Sequence, residues 1–336
     1  MNLEEILAEI KAGLTGNHER DIPYLKTQEE NYIDSEFADE IFSTCTKWMC
    51  ENTSDEEIES IIRDGQENME SVIQEIQRNL EENNVHDAYE MSEFLVHSTE
   101  GFLRINEEYV SKFYTFDDVF EEILFVNYAH PEKEIACANY PYSQMYAIHG
   151  TILLRMDRVE EARKYLRKAL RWNPASCSIA FVYIDTWKVN QELDMFYELT
   201  KKLLCFTYKK SDIAHCFRNL GYYYSEKEEY ALAFTCYMIS LYYEPENNLA
   251  CTQLNSITDI AFKEVEKPSL EEMKSYIDQY NLPTGANPVV IELANRCAQE
   301  ALEKENLEMA IHFYEILYQL TNDLSIKDKL ETLKKD

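Results

Sequence analysis

Residues 146–174 read YAIHGTILLRMDRVEEARKYLRKALRWNP, and residues 217–245 read FRNLGYYYSEKEEYALAFTCYMISLYYEP. In each stretch a glycine, an alanine and a proline stand twelve residues apart: Gly150, Ala162 and Pro174 in the first, Gly221, Ala233 and Pro245 in the second. The two triplets are offset by 71 residues. Small residues at matching places on two successive helices let their axes approach closely. A proline lacks an N–H and clashes with the preceding turn, so it stops the second helix.

The spacing resembles that of the tetratricopeptide (TPR) repeat, a helix–turn–helix of about 34 residues. Residues 143–176 are the first clear repeat, with Tyr146, Gly150, Leu153, Ala162, Leu166, Ala169 and Pro174 on repeat positions. Residues 177–210 fit a degenerate one, with Trp187 and Leu193 in place but Ile184 and Phe196 where small residues belong. After three extra residues, Ser211 to Ile213, a second clear repeat at 214–247 carries Leu220, Gly221, Tyr224, Tyr230, Ala233, Tyr237 and Pro245. A non-consensus helical pair is expected at 248–281, its second helix opened by a Ser269/Glu272 capping box. Beyond the breaker-rich LPTGANP, Asn287 as N-cap and Pro288 at the first helical position open a last pair, 291–324, with Ala298, Ala310 and Tyr314 in register. Residues 325–336 read as a capping helix with a frayed end.

The resemblance covers 143–324 and implies an all-α, right-handed solenoid. The first helix of each repeat would line a concave groove, and such grooves hold an extended or helical segment of another protein. In this register Thr151, Leu154, Arg155, Phe181, Asp185, Lys188, His215, Arg218, Asn219 and Tyr222 face the groove. Tyr222 and Arg218 stand out, because aromatic residues and arginine dominate binding hot spots. Tyr224 reads as core. One TPR subtype grips acidic C-terminal peptides through a clamp of Lys, Asn and Arg. Here Ala147 and Thr151 take the first Lys and Asn places and only Arg218 and Asn219 match the later part, so the clamp reads as absent.

Residues 1–135 carry no motif of that specificity; they are either diverged repeats or an added helical bundle. Leu3, Ile6, Leu7 and Ile10 form a helical stripe closed by Gly13 and Gly16. An irregular stretch around Pro23 should follow, then a helix over 35–50 with Phe37, Ile41, Phe42, Cys45, Trp48 and Met49 inward. Ser54 and Glu57 suit a capping box for a long helix bearing Ile58, Ile61, Ile62, Met69, Val72, Ile73, Ile76 and Leu80, broken at Asn83–Asn84. Helices are expected at 85–105 and 116–127, the second capped by Thr115 and Asp118. Charge and pattern both change across AHPEKEIACANYP, residues 129–141, which sets the domain boundary there.

The charge is uneven. The chain of 336 residues has a net charge of −31. Residues 1–135 hold 34 acidic and 9 basic residues, or −25; residues 136–336 hold 29 and 23, or −6. Phosphate binding needs clustered Lys and Arg, which argues against nucleic acid or an anionic membrane as partner and allows a basic one for the N-terminal half. No apolar run reaches the roughly 18–20 residues that span a bilayer, and the start MNLEEILAEIKAGL is acidic and amphipathic rather than signal-like. Nine cysteines, an odd number without a C-x-x-C, fit a cytoplasmic protein, with Cys205, Cys236, Cys251 and Cys297 as small buried hydrophobes.

The seven histidines are scattered, and neither a zinc spacing, a P-loop, a G-x-G-x-x-G nor a G-x-S-x-G occurs. No cofactor or metal is therefore expected. The function expected is a non-catalytic protein- or peptide-binding scaffold. The alternatives are a peptide-sensing regulator with an N-terminal helical effector module, and an enzyme of unknown class.

Overall fold

A computed structural model describes residues 2–33, 35, 37–50, 55–105, 113–132, 135–263, 266–283 and 285–334. In chain order the elements are α1 (Leu3–Ala12), α2 (His18–Asn31), α3 (Ala38–Cys50), α4 (Asp55–Glu81), α5 (Val85–Ile105), β1 (Phe113–Tyr114), α6 (Val119–Ala129), β2 (Ala136–Cys137), α7 (Tyr142–Arg155) and α8 (Val159–Trp172). They continue with α9 (Cys177–Val189), α10 (Leu193–Leu204), α11 (Lys210–Glu226), α12 (Tyr230–Tyr243), α13 (Asn248–Ala261), α14 (Leu270–Gln279), α15 (Pro288–Glu303), α16 (Leu307–Thr321) and α17 (Leu324–Leu333). The fold is all-α, as expected; the described strands are two residues each and pair in parallel, Phe113 with Ala136.

The chain forms two compact units, one of Met1–Thr115 and Pro131–Asn173, the other of Phe116–His130 and Pro174–Asp336. In the first, Ile6, Ile10, Leu25, Ile41 and Cys45 close a small core under α1–α3. The irregular stretch expected around Pro23 is instead α2, with Pro23 inside it. The helix survives because the Pro23 ring is exposed while Leu25 is fully buried in that core, and because Asp21 accepts from the Thr15 and Gly16 N–H groups at 2.8 Å. The Ser54 cap lies outside the described residues, as do the side chains of Ile58, Ile61 and Ile62. Farther along, α5 packs between α4 and α7, and α7 pairs with α8.

A single turn recurs where helices pair. Asn83, Asp157, Gln191, Glu228 and Glu305 all adopt the left-handed conformation, with φ of 57° to 64°. The next residue's N–H then reaches back five residues to a carbonyl: Asn84 to Asn79, Arg158 to Leu153, Glu192 to Trp187, Glu229 to Tyr224 and Asn306 to Ala301, at 2.8–2.9 Å. This bond satisfies a carbonyl at the helix end. Five residues beyond the left-handed residue stand Ala88, Ala162, Phe196, Ala233 and Ala310, each fully buried. The α4–α5 hairpin thus shares both the turn and the small buried residue of α7–α8, α11–α12 and α15–α16.

The glycines sit at the expected crossings. A Cβ on Gly150 would stand 2.7 Å from Leu166 Cγ, and one on Gly221 2.8 Å from Tyr237 Cε2. In the second unit α9–α10 and α11–α12 pack in succession, α13 lies against α12, and α14 also lies against α12. The start of α11 at Lys210 absorbs the three extra residues into its first turn. Ser269 and Glu272 form the expected capping box, and Asn287 caps α15 with Pro288 at its start. The cap of α6 is Asp118 alone, accepting from Phe120 N–H at 2.7 Å. Thr115 belongs to the first unit, where its N–H donates to Trp172 O and its Oγ1 accepts from Ser143 N–H. Phe120 is buried against Tyr208 and Phe313.

Of the four cysteines expected inside, Cys236 is fully buried, Cys251 and Cys297 are half-buried, and Cys205 is exposed. Cys205 takes the cap position of α10, where its side chain turns back along the helix, 3.7 Å from Lys201 O.

Candidate partner-binding face

The ten residues expected to face a groove fall in both units. Thr151, Leu154 and Arg155 are on α7, in the first unit. Thr151 Oγ1 donates to Ala147 O within its own helix at 2.8 Å. Arg155 Nη1 donates to Leu80 O, the end of α4, at 3.1 Å. Leu154 is half-buried.

The other seven share the second unit, and α9 and α11 bring most of them into contact. The rings of Phe181 and His215 stack at 3.8 Å. The Lys188 ammonium lies 4.0 Å from the centre of the Tyr222 ring, and that ring meets Phe196 edge-on. An ammonium held over an aromatic face gains roughly 0.5–2 kcal/mol, more as water is excluded. Burial, with Arg218 and Lys188 adding to it, holds the His215 imidazole down at about 4, so it is neutral at pH 7. Burial raises the Asp185 carboxyl against the opposing pull of Lys188.

Arg218 is not the free forked donor its position suggests. It reaches across to α12, donating to Glu244 at 2.5 Å and to Ser240 Oγ at 3.4 Å. This pairing escapes sequence reading because 26 residues separate the partners. Asn219 has only 4% of its surface exposed, and its side-chain amide nitrogen has no hydrogen-bond partner among the described residues. Tyr224 is core, as expected, its hydroxyl 3.1 Å from that of Tyr197.

The pairing that most resembles a catalytic one is Ser92 with His149, 2.9 Å from Oγ to Nδ1. Ser92 Oγ also donates to Tyr89 O at 2.9 Å. In the tautomer that carries its proton on Nδ1, His149 donates to Ser92 while the Ser92 hydroxyl donates to Tyr89 O. Both residues are buried, and burial holds His149 down at about 4. Among the described residues no group of three or more His, Cys, Asp or Glu side chains is placed to hold a metal ion, and no described helix is long and apolar enough to cross a membrane.

The tetratricopeptide-repeat family model matches residues 143–176, the first clear repeat. No curated protein matches the chain. Among solved structures the chain is similar to PilF of Pseudomonas aeruginosa, at 13% identity and a TM-score of 0.42 over 80% of this chain and 99% of that one. It is also similar to YrrB, described as a TPR protein with an unusual peptide-binding site, at 14% identity and a TM-score of 0.31 over 65% and 99%. A third is the TPR domain of P58(IPK), at 12% identity and a TM-score of 0.31 over 99% and 97%. Likenesses this distant carry nothing about partners. Residues 143–176 therefore form a tetratricopeptide repeat, and residues 214–247 carry the same Gly, Ala and Pro spacing.

Proposed function

We propose that the chain is a non-catalytic protein- or peptide-binding scaffold, working in the cytoplasm, whose partner lies on the α9–α11 face of the second unit. The observation that carries this reading is Asn219. Its amide nitrogen is buried and has no partner among the described residues, which costs roughly 1–3 kcal/mol, on a helix face shared with His215, Arg218 and Tyr222. A backbone carbonyl of a bound segment would supply the missing acceptor once the side chain turns toward it. The neighbouring Phe181–His215 stack and the Lys188–Tyr222 pair would offer it ring surface and charge. A repeat groove holding a segment of another protein is what the family resemblance implies, and the free thiols of the buried Cys177, Cys216 and Cys236 suit a reducing compartment.

The shared turn and Ala88 support reading 69–102 as a diverged repeat, so that the acidic N-terminal half continues the array and offers its charge to a basic partner. Affinity capture with Tyr222→Ala, Lys188→Ala and Asn219→Ala tests the face. Loss of a true anchor costs about 2 kcal/mol or more, a weakening of roughly 30-fold. Wild-type capture by all three folded variants refutes the assignment and moves the site elsewhere.

A further inference from the structure

A cleft of about 520 Å³ opens in the second unit where the turn into α11 faces α16. From this arrangement we infer a second binding site, for a phosphoryl group carried by a small molecule. It is independent of the α9–α11 partner face.

The argument begins with which groups in the cleft already have partners. Its three carboxylates do. Asp118 accepts from Phe120 N–H and from His312 at 3.0 Å. Glu244 accepts from Arg218 and from Asn247. Glu315 pairs with Lys334 at 2.6 Å. On the opposite wall neither lysine ammonium has a carboxylate partner among the described residues. The Lys209 ammonium makes no ion pair or hydrogen bond among the described residues; it rests over the Tyr208 ring at 5.0 Å, and its charge acts on Asp212 and on the buried Cys177. Lys210 reaches a neutral acceptor, Asn322 Oδ1, at 2.7 Å.

Backbone and buried side chain add to this. No side chain caps the N-terminus of α11, and the N–H groups of Lys210 and Ser211 have no acceptor among the described residues. Such N–H groups favour anions. Tyr208 also lines the cleft. Only 2% of it is exposed, yet its hydroxyl has no partner among the described residues. The cleft therefore holds, beside three carboxylates that already have donors, one ammonium, two backbone N–H groups and a phenol hydroxyl without partners among the described residues, in a chain of net charge −31.

Two ammonium groups and two backbone N–H groups match an anion with three oxygens and a charge near −2 better than a carboxylate. The volume lies within the range of small-molecule sites, roughly 300–1,000 Å³, and so leaves room for the body of a phosphomonoester beyond its phosphate. Asp212 and the buried Glu121 stand nearby and oppose an anion, but neither lines the cleft.

Thermal shift and calorimetry on the full chain, with inorganic phosphate, O-phosphoserine, glycerol phosphate and succinate at millimolar concentrations, test the inference. The expected result is a rise of several degrees with the phosphoryl probes that fades with added salt and is lost in Lys209→Ala/Lys210→Ala. Phosphomonoesters should act at concentrations at least tenfold below inorganic phosphate; equal potency would mean an adventitious ion only and would overturn the small-molecule assignment. An equal response to succinate would sink the phosphoryl class. No response to any probe, or one retained by the double variant, would sink the site. Lys209 is exposed, and Lys209→Gln, which keeps the stem, serves as a second variant should the double one misfold.

Discussion

Filling the Gly221 crossing is the most quantitative test of the repeat packing. A Cβ there would stand 2.8, 2.9 and 3.0 Å from Cε2, Cζ and Cδ2 of Tyr237, where ordinary carbon contacts lie near 3.5–4.0 Å. The ring is 2% exposed and cannot swing away. Alanine brings about 0.5–1 kcal/mol of helix propensity, whereas overpacking costs about 1–3 kcal/mol. Gly221→Ala should therefore destabilise by roughly 0–2 kcal/mol. Gly221→Leu drives three more carbons into the same ring and should cost about 3 kcal/mol or more. The assay is the urea midpoint by circular dichroism. Gly65→Ala is the control: its nearest obstacle is the Tyr140 hydroxyl at 2.7 Å, the far end of a half-buried side chain, so the propensity gain should show. Pairing Gly221→Ala with Tyr237→Leu should recover part of the loss, with a coupling above about 0.5 kcal/mol. An unchanged midpoint for Gly221→Leu would refute the packing argument.

Other expectations follow from the same contacts. Glu228→Gly should raise stability by up to about 1 kcal/mol, because glycine takes φ of 60° without strain; a lower midpoint contradicts the shared turn. Arg218→Ala should lower stability by roughly 1–3 kcal/mol, since it removes the charged partner of Glu244 and leaves only the Asn247 amide donating to it; thermal melts decide. The buried His149 takes up its proton near 4 in the folded chain but near 6.5 when unfolded. Its contribution is complete above pH 6.5 and is lost as pH falls toward 4, so a wild-type minus His149→Gln difference should shrink over that window. Glu29 has the opposite sign. Burial raises it from 4.5 to about 7, so Glu29→Gln should gain on wild type as pH rises through that range.

The repeat hairpins were legible because glycine, alanine and proline mark crossing and stop chemically. So were the Ser269/Glu272 box and the Asn287–Pro288 start, which are local hydrogen-bond and φ signals. The shared turn was not, because Asp157, Gln191, Glu228 and Glu305 supply the left-handed residue where glycine would have announced it. Pro23 was misleading: only burial of the opposite helix face shows that a proline with its ring in solvent can be tolerated. The cap of α6 was displaced by three residues, because Thr115 was drawn to Ser143 and Trp172, neighbours far along the chain. Among the face residues, the sequence placed the helix positions, but the Arg218–Glu244 bond and the unpaired Asn219 amide depend on tertiary packing.

The central claim, that the partner lies against α9 and α11, is tested most directly by hydrogen exchange on the full chain with and without its captured partner. Protection rising over 181–188 and 215–222, and reduced in Tyr222→Ala, is the result expected. Protection confined to residues 1–135, with 181–188 and 215–222 unchanged, would contradict it.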